Sequence, residues 1–252
     1  MSNPTVSVVI PTYNRVHLLG RAIASVLNQT VPVHEVIVVD DGSDDGSSEM
    51  VIRLSRQDPR LVLLRQERGG APSARNRGIA YATGSLLAFQ DSDDEWDPRF
   101  IATLLECHTR PSVVAFCSMT VIDASGVPRI DFPDRIDNVR AQLLQANCIS
   151  TQTCLVDRAL LTSNSFDVRL QRLQDWDLWL SIIDRATFIH VPEVLVTQHL
   201  QSDSITAGSE RKLYAALKII TKKHRRVLSR RPLWFARFWI AARLRTLSLG
   251  RI

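Results

Sequence analysis

The sequence predicts an α/β fold: a mostly parallel sheet with helices on both faces, followed by a basic helical tail. Three observations carry that prediction. Four short apolar runs alternate with amphipathic stretches within about the first ninety residues, the spacing of β-α units whose strands are buried on both faces. Three of those runs stop at polar clusters: Pro11-Thr12-Tyr13-Asn14, Asp40-Asp41-Gly42-Ser43 and Asp91-Ser92-Asp93-Asp94. Ligands of parallel sheets sit beyond the carboxyl ends of the strands, so the three clusters are expected to meet in one crevice.

Thr5 to Ile10 is short and β-branched, and Pro11 stops it. Asn14 is expected to cap a helix with Leu18, Leu19, Ala22, Ile23 and Val26 near the 3.6-residue period. Glu35 to Val39 reads as a second strand, residues 44–57 as a polar amphipathic helix, and Leu61 to Leu64 as a third strand. Gly69-Gly70 opens a loop, and a helix is expected over Ser73 to Tyr81. Leu86 to Phe89 is the fourth strand. Asp97 as N-cap and Pro98 at the first helical position start a helix running to about Cys107. Val113 to Ile122 is strand-like, Ser125-Gly126 turns, and residues 129–150 give little signal beyond a short helix over Val139 to Ala146. Thr153 to Val156 reads as a strand, with a short helix at Arg158 to Leu161. Trp176, Trp179, Leu180 and Ile183 share one helical face, with Asp175 at the helix start, where free N–H groups favour a carboxylate. Val191-Pro192 and Val194 to Val196 read as sheet or loop, and Gln198 to Ser204 as a polar loop.

The composition, 45% hydrophobic and 23% charged over 252 residues, is that of an ordinary globular protein with a sizeable core. Met1-Ser2-Asn3-Pro4 leads into the first strand without a basic leader, and no run of 18 uncharged apolar residues occurs. Cys107, Cys117, Cys148 and Cys154 show no CxxC or Cys/His zinc spacing, so reduced thiols in the cytoplasm are expected. The net charge of +5 hides an asymmetry: from Ser209 onward there are thirteen Lys/Arg and one acid, leaving that segment at about +12 and the rest at about −7. A domain over 1–208 and a basic segment over 209–252 follow. Two basic helices are expected there, broken at Arg231-Pro232, with Phe235, Phe238, Trp239 and Ala242 on one face of the second. Packing of the apolar faces on the body and attraction to an anionic membrane surface at the inner face of the membrane both account for it. Nucleic-acid binding is disfavoured, because an acidic body offers no matching groove.

Three carboxylates within four residues repel one another unless a cation sits among them. The buried strand before them delivers Asp91 and Asp93 to one metal. A divalent cation, Mn²⁺ or Mg²⁺, would let these acids share a site with the diphosphate of a nucleotide. Arg75 could add a fixed positive charge to the phosphates.

The segments 6–15, 36–43 and 74–80, the Asp91-Ser92-Asp93-Asp94 cluster and Gln174-Asp175-Trp176-Asp177-Leu178-Trp179-Leu180 occur in series. Together they resemble a family 2 glycosyltransferase of GT-A fold, over about residues 5–200. The resemblance implies transfer of a sugar, with inversion, from a nucleotide-sugar, commonly a UDP-sugar, to a saccharide or lipid-linked acceptor. It implies that Thr12 and Tyr13 line the nucleoside, that one of Asp40 and Asp41 contacts base or ribose, and that Arg75 lies on the nucleotide side. It implies further that Asp91 lies near ribose and metal, that Asp93 ligates the metal, and that Asp175 is the general base. One departure is Gln174, where Glu often precedes the base. His199 falls where some GT-A enzymes supply a further metal or phosphate contact, though a loop histidine without that role is the expectation here. A nucleotidyltransferase is the rival enzyme class, but it has no use for an acceptor base at Asp175. A nucleotide-sugar-binding module without turnover is the non-enzymatic alternative. A dinucleotide dehydrogenase is disfavoured by the absence of GxGxxG after the first strand.

Overall fold

The computed structural model describes residues 4–123, 125–131, 136–162, 164–200 and 210–230. Strands β1 (Val6–Thr12), β2 (Glu35–Asp40), β3 (Leu61–Arg65) and β4 (Leu86–Phe89) alternate with helices α1 (Val16–Leu27), α2 (Ser47–Ser55) and α3 (Ala71–Tyr81). They form a parallel block in the order β3-β2-β1-β4. β5 (Glu95–Trp96) and α4 (Phe100–Leu105) follow, then β6 (Val113–Ile122), β7 (Pro128–Asp131), α5 (Val139–Leu143), β8 (Cys154–Asp157), α6 (Gln174–Ile182) and β9 (Thr187–His199). β8 joins β4 antiparallel, and β6, β9 and β5 extend the same sheet beyond it, with β7 paired to β6. Helices α7 (Glu210–Lys223) and α8 (Arg225–Leu228) end the described chain.

Side chains alternate across a strand, and here both sides are dry. Val6, Val8, Ile10, Val36 and Val38 point into a core closed by Leu19, Ile23 and Val26 of α1, Val51 of α2 and Phe100, Ile101 and Leu104 of α4. Val9, Ile37, Val39, Leu87 and Phe89 point into the other, closed by α3, α5 and α6. Ala216 and Ile220 of α7 and Leu228 of α8 belong to that second core, so the first part of the basic segment packs on the body. The second basic helix expected over 233–252 lies outside the described residues. No helix among those described is long and apolar enough to cross a membrane. All four cysteines are free thiols.

Local chemistry moved several boundaries. Asn14 does not cap α1: its backbone is left-handed (φ 48°), and its side chain pairs reciprocally with Asp44. The cap comes from a distant carboxylate, Asp45, which accepts from Val16 N–H at 2.9 Å. Asp97 accepts from Arg99 N–H at 2.8 Å and closes a turn, so α4 starts at Phe100 rather than Pro98. Val191 to His199 is one strand with β-bulges opposite Cys117, Ser118 and Met119, and these accommodate Pro192, which has no N–H to give a ladder. Gln198 and His199 therefore lie in β9, not in a loop.

Gly78 lets α3 lie close against β1, because a Cβ there would overlap the Val9 side chain. Gly78→Ala should cost about 1–3 kcal/mol through overpacking. A thermal midpoint lowered by several degrees checks it; an unchanged midpoint would show that α3 can lift off the strand.

Candidate active site

A cavity of about 680 Å³ opens at the carboxyl ends of β1, β2 and β4, a volume typical of small-molecule sites. β1 and β4 are neighbours here: the crossover from β1 runs to β2 on one side, and the crossover from β3 returns past β1 to β4 on the other, so this is the point where the strand order reverses. Seven of the eight residues singled out in the sequence line the cavity: Thr12, Tyr13, Asp41, Arg75, Asp91, Asp93 and Asp175.

The eighth, Asp40, lies outside it. Its side chain is fully buried, accepts from Ser43 N–H at 2.9 Å and from the Ser48 hydroxyl, and so fixes the turn into α2. Its neighbour Asp41 reaches the cavity wall. There it accepts from Gly69 N–H at 2.8 Å, Gly70 N–H at 2.7 Å and the Gln66 amide at 2.7 Å. The geometry thus separates two acids that the sequence left equivalent. Asp41 ties the loop before α3, which also carries Arg68, to the end of β2. The Arg68 guanidinium lies 4.0 Å from the centre of the Tyr13 ring, a cation–π contact at the rim. Thr12 Oγ1 is buried without a hydrogen-bond partner.

The acid cluster at the end of β4 divides its labour. Burial, then the charges of Asp91 and Asp93, push the Asp94 carboxyl up to about 8. Its Oδ1 accepts from His199 N–H at 2.7 Å. The two remaining charges each face a guanidinium: Arg75 at 2.7 Å from Asp91, Arg15 at 3.8 Å from Asp93. Both carboxylates stay partly open to the cavity. Among the described residues no group of three or more His, Cys, Asp or Glu is arranged to hold a metal ion by itself. Two reachable carboxylates do suit a hard cation of the Mg²⁺ type, which commonly takes one or two protein carboxylates and completes its shell with phosphate oxygens and water. His199 lines the same cavity and its Nε2 lies 3.0 Å from Glu95.

Across the cavity stands Asp175, in the first turn of α6 after Leu173, whose left-handed backbone (φ 59°) turns the chain into the helix. Asp175 Oδ1 accepts from Trp176 N–H at 2.8 Å and Oδ2 from the Asn147 amide at 2.7 Å. Burial pushes its carboxyl above the usual carboxylate range, although those two donors and the Arg75 charge favour the ionised form. Arg75 spans the gap between the halves: one nitrogen meets Asp91, and another donates to Gln174 Oε1 at 3.0 Å.

The model of the family described as "Glycosyl transferase family 2" matches residues 7–158, which hold β1 to β4 and the acid cluster. The chain belongs to glycosyl transferase family 2. Membership places it among the transferases. It is 33% identical over 187 residues to an Escherichia coli protein named UDP-Glc:alpha-D-GlcNAc-diphosphoundecaprenol beta-1,3-glucosyltransferase WfgD, covering 73% of this chain and 71% of that one. It is 32% identical over 219 residues to an uncharacterized glycosyltransferase of Rickettsia bellii, covering 86% of this chain but only 32% of that longer protein. Among solved structures, S. aureus TarS 1-349 in complex with UDP-GlcNAc matches with a TM-score of 0.70 at 22% identity, over 86% of this chain and 65% of that one. That likeness is one of fold and confirms the GT-A architecture.

Asn147 and Arg68 of this family 2 protein line the cavity but escaped the sequence reading. Asn147 lies in the stretch without periodicity. Its placement depends on Trp176 and Trp179, whose indole N–H groups donate to Leu143 O at 2.7 Å and Ile149 O at 2.8 Å. The two tryptophans thus dock the Asn147 segment on the helix that carries Asp175.

Asp41→Ala should leave two loop N–H groups and the Gln66 amide without their acceptor, at a cost of about 1–3 kcal/mol. Amide hydrogen exchange at Gly69 and Gly70 should rise well above that of the neighbouring strand β2. Equal protection in the variant would mean that the loop holds itself.

Proposed function

We propose that this family 2 protein transfers a sugar from a nucleotide-sugar, of the UDP class, to a hydroxyl of a saccharide or lipid-linked acceptor, with inversion at the anomeric carbon, in the building of cell-surface polysaccharide. The observation that carries the reading is the opposition, across one cavity, of the Asp91/Asp93 pair at the end of β4 and Asp175 at the head of α6. Inversion needs a single displacement, hence one base facing one leaving group and no protein nucleophile. Asp175 takes the proton of the acceptor hydroxyl. The acceptor oxygen bonds to the anomeric carbon as the bond from that carbon to the diphosphate breaks, and the electron pair leaves with the nucleoside diphosphate.

Each neighbouring group suits its place in that step. Asn147 holds Asp175 Oδ2, leaving the carboxylate aimed and unable to swing. The Arg75 guanidinium is nine-tenths buried, and its charge is worth more to a departing diphosphate there than in water. The unpartnered Thr12 hydroxyl and the Tyr13 ring offer a hydrogen bond and a face to a nucleoside. Asp91 and Asp93 would hold a divalent cation, Mn²⁺ or Mg²⁺, which when bound offsets the charge of the diphosphate. The UDP class and the lipid-linked acceptor are supported by the name of the Escherichia coli relative. A peripheral position at a membrane, through the basic segment after 209, would suit such an acceptor.

Titration calorimetry with UDP and Mn²⁺ tests the donor half: Asp93→Ala should weaken binding at least tenfold, and unchanged binding would remove Asp93 from the site. Asp175→Asn should bind UDP normally but lower transfer by about 10²- to 10⁴-fold, the usual range for a positioned general base.

The pH dependence follows from the direction of the Asp175 shift. Only the ionised carboxylate accepts a proton, so turnover should fall as pH drops through its pKa, on a limb lying above the ordinary Asp value of about 3.9. Asn147→Ala removes a donor to the ionised form and should move that limb to higher pH. A limb that stays in place would clear Asn147 of any part in tuning the base.

A further inference from the structure

Helix α6 carries a second acid that the reaction does not use. Asp177 lies two residues beyond Asp175, about 200° around the helix, so the two carboxylates face opposite ways. Asp175 faces the cavity, while Asp177 is wholly buried on the far side against α7 and α8. There its Oδ2 accepts from Lys223 Nζ at 2.7 Å, and its Oδ1 lies 2.7 Å from His224 Nε2. Lys223 also lies 3.6 Å from Asp167. Asp167 heads the loop that runs through Gln171, Arg172 and Leu173, three residues of the cavity wall, into the start of α6. At the near end of that loop, Asn76 of α3 exchanges two hydrogen bonds with the Phe166 backbone, at 2.8 and 2.9 Å.

A buried carboxylate is tolerated only where its partners hold it, and removing one partner leaves an uncompensated charge. Lys223 and His224 therefore hold α6 from behind, on the side away from the cavity, and Lys223 reaches the head of the loop as well. No residue of α7 or α8 lines the cavity, and β1, β2 and β4 meet neither Lys223 nor His224 in any ion pair or hydrogen bond between described residues. We propose that Lys223 and His224 are positioning residues of the acceptor half: through Asp177 and Asp167 they hold α6, and with it Asp175, at the working distance from the donor half. The proposal rests on the reading of Asp175 as the base. It gives the first basic helix a task inside the enzyme, separate from any attraction to a membrane.

The test uses the full chain with His224→Ala, His224→Gln, Lys223→Met and Lys223→Arg. Amide hydrogen exchange is followed over residues 166–182 and over the strands 6–12, 35–40 and 86–89. UDP affinity with Mn²⁺ is measured by calorimetry, and turnover by release of UDP from UDP-glucose and UDP-N-acetylglucosamine with water taking the sugar. His224→Ala and Lys223→Met should raise exchange over 166–182 at least tenfold and leave the strands unchanged. UDP affinity and donor KM should stay within twofold while kcat falls tenfold or more. His224→Gln and Lys223→Arg, which keep a donor to the acid they face, should recover most of both. Exchange that stays at the wild-type level, or that rises equally in the strands, overturns the proposal. If His224→Ala fails to fold, Lys223→Met, whose side chain is about a third exposed, carries the same decision. If the wild type releases no UDP from either donor, the transferase reading is what fails, and the exchange pattern still decides whether the two residues hold α6.

Discussion

Arg75 is a cation that the fold has taken almost out of water, and such a charge must find its partners within reach. It finds Asp91 at the end of β4 and Gln174 at the start of α6. Those contacts come from sequence positions 16 and 99 residues away, so one guanidinium joins the parallel block to the later helices. Phe166 completes the surroundings: Arg75 lies 5.5 Å from its ring centre, and the ring packs edge-on against Phe89. The site is built around this joint. Displacing Arg75 would strand Asp91 and unseat the head of α6 together, so the β4 and α6 sides of the cavity are one electrostatic unit rather than two grafted loops.

The acid cluster that stood out in the sequence needs less help than its charge count suggested. Three carboxylates in four residues demanded a cation on electrostatic grounds. In the fold, burial and then the charges of Asp91 and Asp93 push the Asp94 carboxyl up to about 8, which favours its neutral form, and Arg75 and Arg15 face the other two. The cluster therefore stands without a metal, and a cation arriving with a diphosphate would compete with Arg15 for Asp93. That arrangement would suit the proposed binding and release of a nucleotide-sugar, because neither state leaves a carboxylate uncompensated.

What could be read from sequence was what local rules determine. The first four strands and β6 follow from short apolar runs bounded by Gly or polar residues, although β1 runs through Pro11 to Thr12 instead of stopping there, and the polar ends converge because parallel strands share a direction. Seven of the eight residues singled out in the sequence line the cavity for the same reason: each lies within a few residues of a strand end or a helix start. The remainder was set over long distances. Whether Asp40 or Asp41 reaches the cavity depends on Ser48, Gly69 and Gly70. The cap of α1 comes from Asp45, not the adjacent Asn14. Asn147 sits where two tryptophan N–H groups place its backbone, and no local periodicity could reveal it. The basic segment had two readings open on composition alone, packing on the body and attraction to a membrane. Its charge is real, yet Lys223 and His224 point inward to a buried acid, which only the packing of α7 on α6 discloses.

Gln174 can now be weighed in the same terms. A glutamate in its place would give Arg75 a second carboxylate beside Asp91 and would bring another negative charge next to Asp175. Both changes work against the chemistry proposed here. The first would cancel positive charge that a diphosphate leaving group uses, and the second would repel the ionised form of the base through the low-dielectric interior. The amide keeps the geometry, since Oε1 accepts from Arg75 while the NH₂ donates to Leu170 O at 3.0 Å. Glutamine therefore preserves the bridge between the two sides and leaves Asp91 as the one carboxylate in direct ion pairing with Arg75 among the described residues. On the proposed chemistry, the departure from the acidic form of the motif shifts charge toward the Asp91 side of the cavity and removes no group that the step requires.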